Sequence, residues 1–559
     1  MARDDRSSPA PPQAPRAEPA RLWPLAAAML LAVAGWKLFW FLTDDAYITF
    51  RYVANLIAGY GLVWNPPPFQ PVEGYTSFLW ALLLAAVWRL TGLEPPRTAC
   101  FLTLLCGLGT LALAWRALGR LRLSPRLERA RTLLSALALL GICTNRTFLT
   151  WLSSGLETQL FNLCLTWWAL EALGLLGGEA AGPAWLLRLS AASALAALAR
   201  PDGLLTVPVT AVLALASARQ GGGRWRPAHL LAAGPLLAVA AHLLWRRLTY
   251  GEWAPNTYYA KVPAPWPAMG WRYLACFVVE NGVWVWLLLA VAAAAAAWRR
   301  ASWRGAGRLA RWLVAAVALA HVSYYTLIVG GDHFEYRVFS YLIPLLLVSA
   351  VALIDAAGLG AAAGAAVLGI FLLASYPLPW LHWWRTRELA TRDQTRLLRW
   401  PLAPDFPPPL RPIVAAWDGW QAAMIAHAVG ARQEEHKVFH DWVAAQLPAR
   451  AEGARIPWSG RPVLVAPGVG VAGWVLPHVA IIDSLGLNDR VIAHTPLPPG
   501  RRHRWMMAHE RQAPPGYLDC FLPNVVLLGG GQVRVDPRPL PLTDDRIRAC
   551  ERRQWPAPR

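Results

Sequence analysis

The stretch 44–65 has the clearest chemical potential, because it begins with two adjacent carboxylates, Asp44 and Asp45. The residues that follow have a helical pattern. At about 100° per residue, one narrow sector of that helix carries Asp44, Tyr47, Arg51 and Asn55. A negative charge also suits the start of a helix. A solvated surface helix can show the same pattern, so the stretch by itself predicts only a candidate site in which either carboxylate can act as a base.

Other polar segments lie between apolar runs and carry further carboxylates, cations and aromatics. Besides Arg51 and Asn55, the candidates for binding a substrate are Glu73, Tyr75, Arg200, Asp202, Asn256, Lys261, Asp332, Arg337 and His494. Each has a structural alternative: Arg200 and Asp202 can pair within a turn, and Lys261 can reach lipid headgroups. Their convergence on one predicted side of the membrane favours a common site.

The composition places these segments in a membrane protein. Of 559 residues, 56% are hydrophobic and only 15% are charged, and the mean hydropathy is +0.33. Runs of about 20 apolar residues recur, which indicates a polytopic α-helical membrane protein. The first run, 22–43, is interpreted as a retained anchor, and residues 1–21 as a disordered cytoplasmic tail.

Arginine clusters predict the orientation of the chain. The net charge is +20, and arginines concentrate at 116–131, 219–226 and 299–311, between apolar runs. Cytoplasmic loops and contacts with membrane lipids explain this placement, so we expect no nucleic-acid partner. The short run 76–90 then becomes a juxtamembrane helix on the outer side.

About eleven spans follow from this orientation, within a transmembrane domain of residues 22–381. The predicted spans are 22–43, 98–118, 132–149, 158–176, 185–199, 203–218, 228–247, 272–297, 309–329, 338–354 and 361–380. The N-terminus is expected in the cytoplasm and the C-terminus outside it, in the inner (plasma) membrane of a bacterium.

Residues 382–559 are predicted to form a soluble domain of mixed α/β type on the outer side, which helps to hold an acceptor. No further run there is long enough to span a membrane. The runs 461–467 and 479–483 predict short buried strands. Cys520 and Cys550 lie outside the spans and can pair if the compartment is oxidising. No cysteine or histidine spacing suggests zinc.

These groups suit the transfer of a sugar from a lipid phosphate at a membrane surface. A carboxylate can take a proton from an acceptor hydroxyl or stabilise an oxocarbenium-like centre. Cations can hold the phosphate. The expected partners are a polyprenyl-phosphate-linked sugar donor, a glycan acceptor and membrane lipids. One carboxylate acting as a base would invert the anomeric centre, whereas a second acting as a nucleophile would retain it. We expect no metal and no cofactor, although two adjacent aspartates can bind a divalent cation.

Three long motifs carry a family resemblance. They are Asp-Asp-Ala-Tyr-Ile-Thr-Phe-Arg over 44–51, Asn-Leu-Ile-Ala-Gly-Tyr-Gly-Leu-Val-Trp-Asn over 55–65, and Val-Glu-Gly-Tyr-Thr-Ser-Phe-Leu-Trp over 72–80. Shorter matches follow at 154–157, 200–203, 255–261, 330–337 and 483–494. The chain resembles the terminal β-(1→2)-arabinofuranosyltransferase family of the GT-C superfamily. The resemblance implies a polyprenyl-phosphate-linked pentofuranose donor and a catalytic carboxylate just after the first span, with Asp44 as first choice and Asp45 as second.

Two other classes of protein compete with this hypothesis. A transporter or flippase for lipid-linked sugars needs charges at mid-bilayer and often two matching halves. This chain keeps its charges at the ends of the predicted spans. A non-catalytic scaffold does not explain why carboxylates gather on one side. We therefore favour a membrane glycosyltransferase.

Overall fold

The computed structural model describes residues 22–177, 182–220, 227–299, 308–395, 400–497 and 504–555. The predicted tail, 1–21, lies outside these residues. The first helices are α1 (Trp23–Leu38), α2 (Asp44–Ile57), α3 (Phe78–Thr91), α4 (Pro95–Arg120), α5 (Pro125–Glu128), α6 (Arg131–Thr144), α7 (Arg146–Thr150), α8 (Thr158–Ala172), α9 (Pro183–Ala199), α10 (Thr206–Gln220), α11 (Pro227–Ala232), α12 (Pro235–Tyr250), α13 (Asn256–Lys261) and α14 (Pro267–Glu280).

The later helices are α15 (Val283–Arg299), α16 (Arg308–Ser323), α17 (Leu342–Ala357), α18 (Ala361–Ala374), α19 (Pro377–Thr386), α20 (Arg392–Thr395), α21 (Arg411–Ala426), α22 (Gln433–Gln446), α23 (Arg450–Gly453), α24 (Gly470–Val475), α25 (Arg490–His494), α26 (Tyr517–Cys520) and α27 (Asp544–Arg552). Short 3₁₀ turns occur at Pro201–Leu205, Arg337–Phe339, Ala403–Asp405, Pro408–Leu410 and Trp458–Gly460, and a π-helical turn at Tyr324–Val329.

The helices confirm a multi-pass membrane protein. Within the described residues, five helical segments are long and apolar enough to cross a membrane: Pro95–Arg120, Pro201–Arg219, Arg308–Val329, Arg337–Ala357 and Ala361–Thr386. Four shorter apolar helices, of 10–17 residues, are α1, α3, α6 and α9. Because length and composition select only these, the number of eleven spans stays a prediction.

One predicted span is broken. The run 272–297 forms two helices, α14 and α15, which meet at an angle of 82° and count together as a sixth candidate span. The break falls at Asn281 and Gly282, and Gly282 has a φ of 64° that favours glycine. The helix expected over 76–90 is present as α3, and it packs against α2.

The C-terminal part contains two small sheets. Strands β1 (Val463–Ala466) and β2 (Ala480–Asp483) pair in parallel, and these are the two strands predicted from the sequence. Strands β3 (Val525–Gly529) and β4 (Gln532–Val535) form an antiparallel hairpin. Cys520 and Cys550 form a disulfide, with a Cα–Cα distance of 5.9 Å, which confirms that pair.

The main apolar core joins the two parts of the chain. It contains Phe50 of α2 and Trp80 of α3 together with Leu464 of β1 and Trp474 of α24. The predicted boundary between residues 381 and 382 falls inside α19. The helix α2, which carries both candidate carboxylates, is therefore packed directly against C-terminal residues.

Candidate active site

A cavity of about 260 Å³ lies beside the first turn of α2. Its walls come from α2, the loop before α3, residues 156–157, the turn at 200–204, Arg246 of α12, the segment 253–262 and the segment 324–337, with Leu487, Met507 and Ala508 from the C-terminal part. The polar and charged residues on these walls are Asp45, Thr49, Tyr75, Thr76, Ser77, Glu157, Arg200, Asp202, Arg246, Thr257, Tyr258, Lys261, Tyr324, Tyr325, Asp332, His333 and Arg337. The cavity thus gathers charged groups from distant parts of the chain.

Many of the residues predicted from the sequence meet at this cavity. Those that line it are Asp45, Tyr75, Arg200, Asp202, Lys261, Asp332 and Arg337. The remaining candidates, Asp44, Arg51, Asn55, Glu73, Asn256 and His494, do not line it. The predicted residues that line the cavity and those that do not differ in the partners that their side chains bind.

The two adjacent aspartates point in different directions. The Oδ1 atom of Asp44 accepts a hydrogen bond from the backbone N–H of Val471 (2.8 Å), and Oδ2 accepts one from Gly470 (3.2 Å). Successive residues on a helix are rotated by about 100°, and Asp45 faces the cavity instead. The Asp45 carboxylate makes no hydrogen bond or ion pair with any residue in the described ranges. The structure therefore favours Asp45 over Asp44, our first choice from the sequence.

The surroundings of the two carboxyls also differ electrostatically. Burial raises the pKa of Asp44 from 3.8 to about 6, although the two backbone hydrogen bonds oppose this rise. Burial also opposes ionisation of Asp45, but nearby positive charge, that of Lys261 first, outweighs it and holds the pKa of Asp45 below its usual value. Asp45 is therefore the carboxylate that is fully ionised and accessible at neutral pH.

The arginines on the cavity wall are held by carboxylates. Arg200 binds Glu157 (2.7 Å) and Asp202 (2.9 Å). The pair with Asp202 is the ion pair within a turn that the sequence offered as an alternative to substrate binding. Arg337 binds Asp332, with Nε 3.0 Å from Oδ2. Such pairing orients each guanidinium and leaves part of its five-donor fork available. For Arg337, Nη1 makes no hydrogen bond within the described residues.

Lys261 is a second cation on the cavity wall with donors available to a ligand. It ends α13 and lines the cavity. Its ammonium has no hydrogen bond or ion pair to any described residue, and its backbone carbonyl accepts a hydrogen bond from Arg504. The cavity wall therefore carries both this ammonium and the Asp45 carboxylate, and the positive charge of Lys261 helps to keep Asp45 ionised.

The candidates outside the cavity bind buried backbone groups or neighbouring charges. Asn55 donates to the carbonyls of Val63 (2.8 Å) and Trp64 (3.0 Å). Asn256 donates to the carbonyls of Gly486, Leu487 and Asp489. Buried carbonyls need such donors, so these amides stabilise the fold rather than a ligand.

Arg51, Glu73 and His494 also bind protein groups outside the cavity. Arg51 donates to the carbonyls of Trp64, Gly473, Leu476 and Val479. Glu73 forms a buried ion pair with Arg246, at 2.6 Å. His494 is exposed, and its Nδ1 lies 2.9 Å from the carbonyl of Arg490. These three were predicted to bind a substrate, and the structure does not bring them to the cavity.

Sequence reasoning missed several residues on the wall. The hydroxyl of Tyr325 donates to Asp202 (3.0 Å) and accepts from Arg200 (3.1 Å), which holds that pair in place. His333 bonds the carbonyl of Ala428 through Nδ1 at 2.9 Å, and burial lowers its pKa. Arg246 follows an apolar run, where an arginine is ordinarily a membrane flank. Of these residues, only His333 could have been found from the sequence, because it directly follows the candidate Asp332.

The paired aspartates are the residues at which the sequence allows a divalent cation. Across the described ranges, no three side chains of His, Cys, Asp or Glu converge so that they could hold a metal ion. The two aspartates diverge, since Asp44 binds α24 and Asp45 faces the cavity.

The fold and the cavity define a multi-pass α-helical membrane protein with a charged cleft. No family model matches the chain. The terminal β-(1→2)-arabinofuranosyltransferase of Corynebacterium glutamicum is 30% identical over 358 residues, which covers 58% of this chain and 49% of that protein. The enzyme of the same name from Mycobacterium tuberculosis is 30% identical over 276 residues, covering 48% of this chain and 42% of that protein.

The chain spans about half the length of these curated relatives. This similarity confirms the resemblance seen in the motifs: over about half of their length, the terminal β-(1→2)-arabinofuranosyltransferases are similar to this chain.

Two solved structures are also similar. The crystal structure of ArnT from Cupriavidus metallidurans bound to undecaprenyl phosphate is 14% identical, with a TM-score of 0.49, over 82% of this chain and 85% of that one. The apo structure of the same protein is 16% identical, with a TM-score of 0.38, over 84% of this chain and 76% of that one.

Proposed function

We propose that this protein is a membrane glycosyltransferase of the GT-C type. It moves a sugar, a pentofuranose such as arabinofuranose, from a polyprenyl-phosphate donor to a glycan acceptor of the cell envelope. The observation that carries the proposal is a pair of charges on the cavity wall, the carboxylate of Asp45 and the ammonium of Lys261, neither of which has a hydrogen bond or ion pair to a described residue. The names of the sequence relatives support the choice of sugar.

Asp45 is the general base in this proposal. It takes the proton of the acceptor hydroxyl as the acceptor oxygen bonds to the anomeric carbon. The bond from that carbon to the phosphate oxygen breaks at the same time, and the lipid phosphate leaves. The other carboxylates on the wall, Glu157, Asp202 and Asp332, each accept from an arginine. One free carboxylate among the described wall residues supports a single displacement with inversion.

The cations stabilise the leaving group. The donor is a phosphodiester with one negative charge, and the departing lipid phosphate monoester carries a second. Lys261 and the free Nη1 of Arg337 lie on the wall of the same cavity as Asp45. Preorganised cations are worth most where such charge develops away from water. Arg200 and Arg246 also line the cavity, but their ion pairs with carboxylates offset most of their positive charge.

The proposed arrangement in the membrane follows the arginine clusters. It has about eleven spans, a cytoplasmic N-terminus, and residues 382–559 as an outer domain beside the acceptor. The disulfide between Cys520 and Cys550 supports an oxidising compartment for that domain. A bacterial plasma membrane fits these features and the relatives' organisms.

The test is a transfer assay with purified protein, a radiolabelled polyprenyl-phosphate pentofuranose and an oligosaccharide acceptor. Asp45→Asn should lower turnover at least ~10²-fold, the usual contribution of a positioned general base. Asp545→Asn is the matched control, because that carboxylate lies on α27 with 97% of its side chain exposed. Unchanged turnover in folded Asp45→Asn would refute the mechanism. Movement of the donor lipid across the membrane of vesicles that contain the protein, without transfer of sugar to the acceptor, would indicate a flippase instead.

A further inference from the structure

Asp44 and Arg51, which lie outside the cavity, both bind the same short helix. Asp44 accepts from the N–H groups of Gly470 and Val471, at the start of α24. Arg51 donates through Nη1 to the carbonyls of Gly473 (2.9 Å) and Leu476 (3.3 Å), at its end. Asp44 and Arg51 are seven residues apart, which is about 10 Å along α2, and the six residues of α24 are about 9 Å long. The spacing of the two side chains therefore matches the length of α24. One charged side chain therefore holds each end of α24.

The signs of the two charges match the helix they hold. The first N–H groups and last carbonyls of a helix have no partners within it. Its N-terminus favours a negative charge and its C-terminus a positive one. Helices as short as α24 are not stable alone, so α24 depends on these contacts with α2. Arg51 also binds the chain beyond α24, because its Nη2 donates to the carbonyl of Val479, just before β2 (2.8 Å).

Two glycines allow the helices to approach this closely. A Cβ atom on Gly470 would lie 1.8 Å from the backbone carbonyl oxygen of Asp44. A Cβ atom on Gly473 would lie 2.7 Å from the ring of Trp64 and 3.0 Å from Cδ of Arg51. The contact between α2 and α24 is thus made at backbone distance, where it leaves little freedom to either helix.

Asp45 projects from the same turn of α2 that this contact holds. The residue before the pair is also fixed, because Thr43 donates its N–H to the carbonyl of Ser154 (3.1 Å). We propose that Asp44 and Arg51 are positioning residues, which hold α24 against α2 and thereby fix the carboxylate of Asp45 in the cavity. This inference rests on the proposed function, and it makes the C-terminal part a structural component of the catalytic centre.

Substitutions of Asp44 test this role against a chemical one. Asp44→Ala should lower kcat by ~10- to 10²-fold, as small misplacements of reacting groups do, with the donor KM within about twofold because Lys261 and Arg337 are untouched. Asp44→Asn keeps one acceptor oxygen, and it should recover about fivefold of that loss, the usual worth of one hydrogen bond. The acid limb of kcat/KM should persist in Asp44→Asn, since Asp45 sets it, and any shift should be towards lower pH because the neighbouring negative charge has been removed.

Amide hydrogen exchange gives a readout that does not depend on activity. Exchange at Gly470 and Val471 should accelerate in Asp44→Ala and stay at the parental rate in Asp45→Asn. Arg51→Lys, which keeps a charge but not the fork of donors, should loosen the end of α24 and lower kcat in the same way. Asp545→Asn again serves as the control.

The outcomes separate this inference from the proposed function. If Asp44→Asn is as inactive as Asp45→Asn while the amides of α24 stay protected, Asp44 acts in the chemistry and the inference is overturned. If Asp45→Asn is active, the proposed function fails, and hydrogen exchange alone then tests the positioning role. Parental protection of Gly470 and Val471 in Asp44→Ala would overturn the claim that Asp44 holds α24 against α2. Faster exchange at these amides would support that claim.

Discussion

Replacing Gly470 with alanine should displace α24 from α2 without removing any charged group. The new methyl would meet the backbone oxygen of Asp44 at 1.8 Å, its carbonyl carbon at 2.6 Å and its Cγ at 2.8 Å. Two of these three atoms belong to the backbone, so no side-chain rotation can relieve the overlap. Either α24 or the first turn of α2 must move.

The size of the displacement follows from these distances. Non-bonded heavy atoms settle at about 3.5 Å, so the helices must separate by more than about 1 Å. The bond from Gly470 N–H to Asp44 is already 3.2 Å long, and such a shift breaks it. Overpacking of this kind destabilises by about 1–3 kcal/mol. A shift of about 1 Å at a reacting group costs up to about 10²-fold in rate.

We therefore expect Gly470→Ala to lower turnover ~10- to 10²-fold and to lower the thermal unfolding midpoint of the purified protein. Gly468→Ala is the matched control two residues away, because its Cβ would meet only Phe439, at 3.6 Å, an ordinary contact. That control should stay within about twofold of the parent. Parental turnover and stability in Gly470→Ala, with α24 still protected from exchange, would refute the claim that this contact positions Asp45.

Three further outcomes are expected. Lys261→Met removes the positive charge that does most to oppose the effect of burial on Asp45, so the acid limb of kcat/KM should move to higher pH; an unmoved limb would mean that another group is the base. Burial raises the pKa of Asp44 from 3.8 to about 6, with the negative charges of Asp45 and Asp483 adding to the rise. The folded state therefore binds this proton more tightly, so the contribution of Asp44 to stability should increase as pH falls from about 6 towards 4, by up to about 3 kcal/mol. Unfolding midpoints measured across that range should change less with pH in Asp44→Asn than in the parent, and the difference between the two slopes is the contribution of Asp44. Part of the slope should remain in the variant, because burial also raises the pKa values of Glu73 and Asp489. A reporter that is active only outside the cytoplasm, fused at the C-terminus, should be active, and an inactive fusion of normally expressed protein would contradict an outer C-terminal domain.

Local patterns in the sequence predicted much of this molecule. Long apolar runs must bury their backbone polar groups in helices within a bilayer, so the class of protein follows from composition and run length alone. The strands β1 and β2 follow from short β-branched runs. Arg200, Lys261 and Arg337 were found as candidates because charged residues between apolar runs are uncommon enough to stand out.

The break between α14 and α15 was not predictable in the same way. Val278 to Val285 is apolar apart from Glu280, Asn281 and Gly282, and a hydropathy pattern continues through such an interruption. Glu280 is buried because Arg432, far along the chain, pairs with it at 2.7 Å. A buried carboxylate needs such a partner, and the partner is visible only in the folded chain.

From the sequence we predicted that a carboxylate at the start of α2 shares a site with several cations, and the sequence could not determine which carboxylate. Asp44 and Asp45 have the same chemistry and differ by one step of a helix. The choice was made by Gly470 and Val471, which supply two N–H groups from 426 and 427 residues away. Those groups bind Asp44 and leave Asp45 to the cavity. Only tertiary structure decides such a question, because the partner of a buried polar group is set by packing and not by its neighbours in the chain.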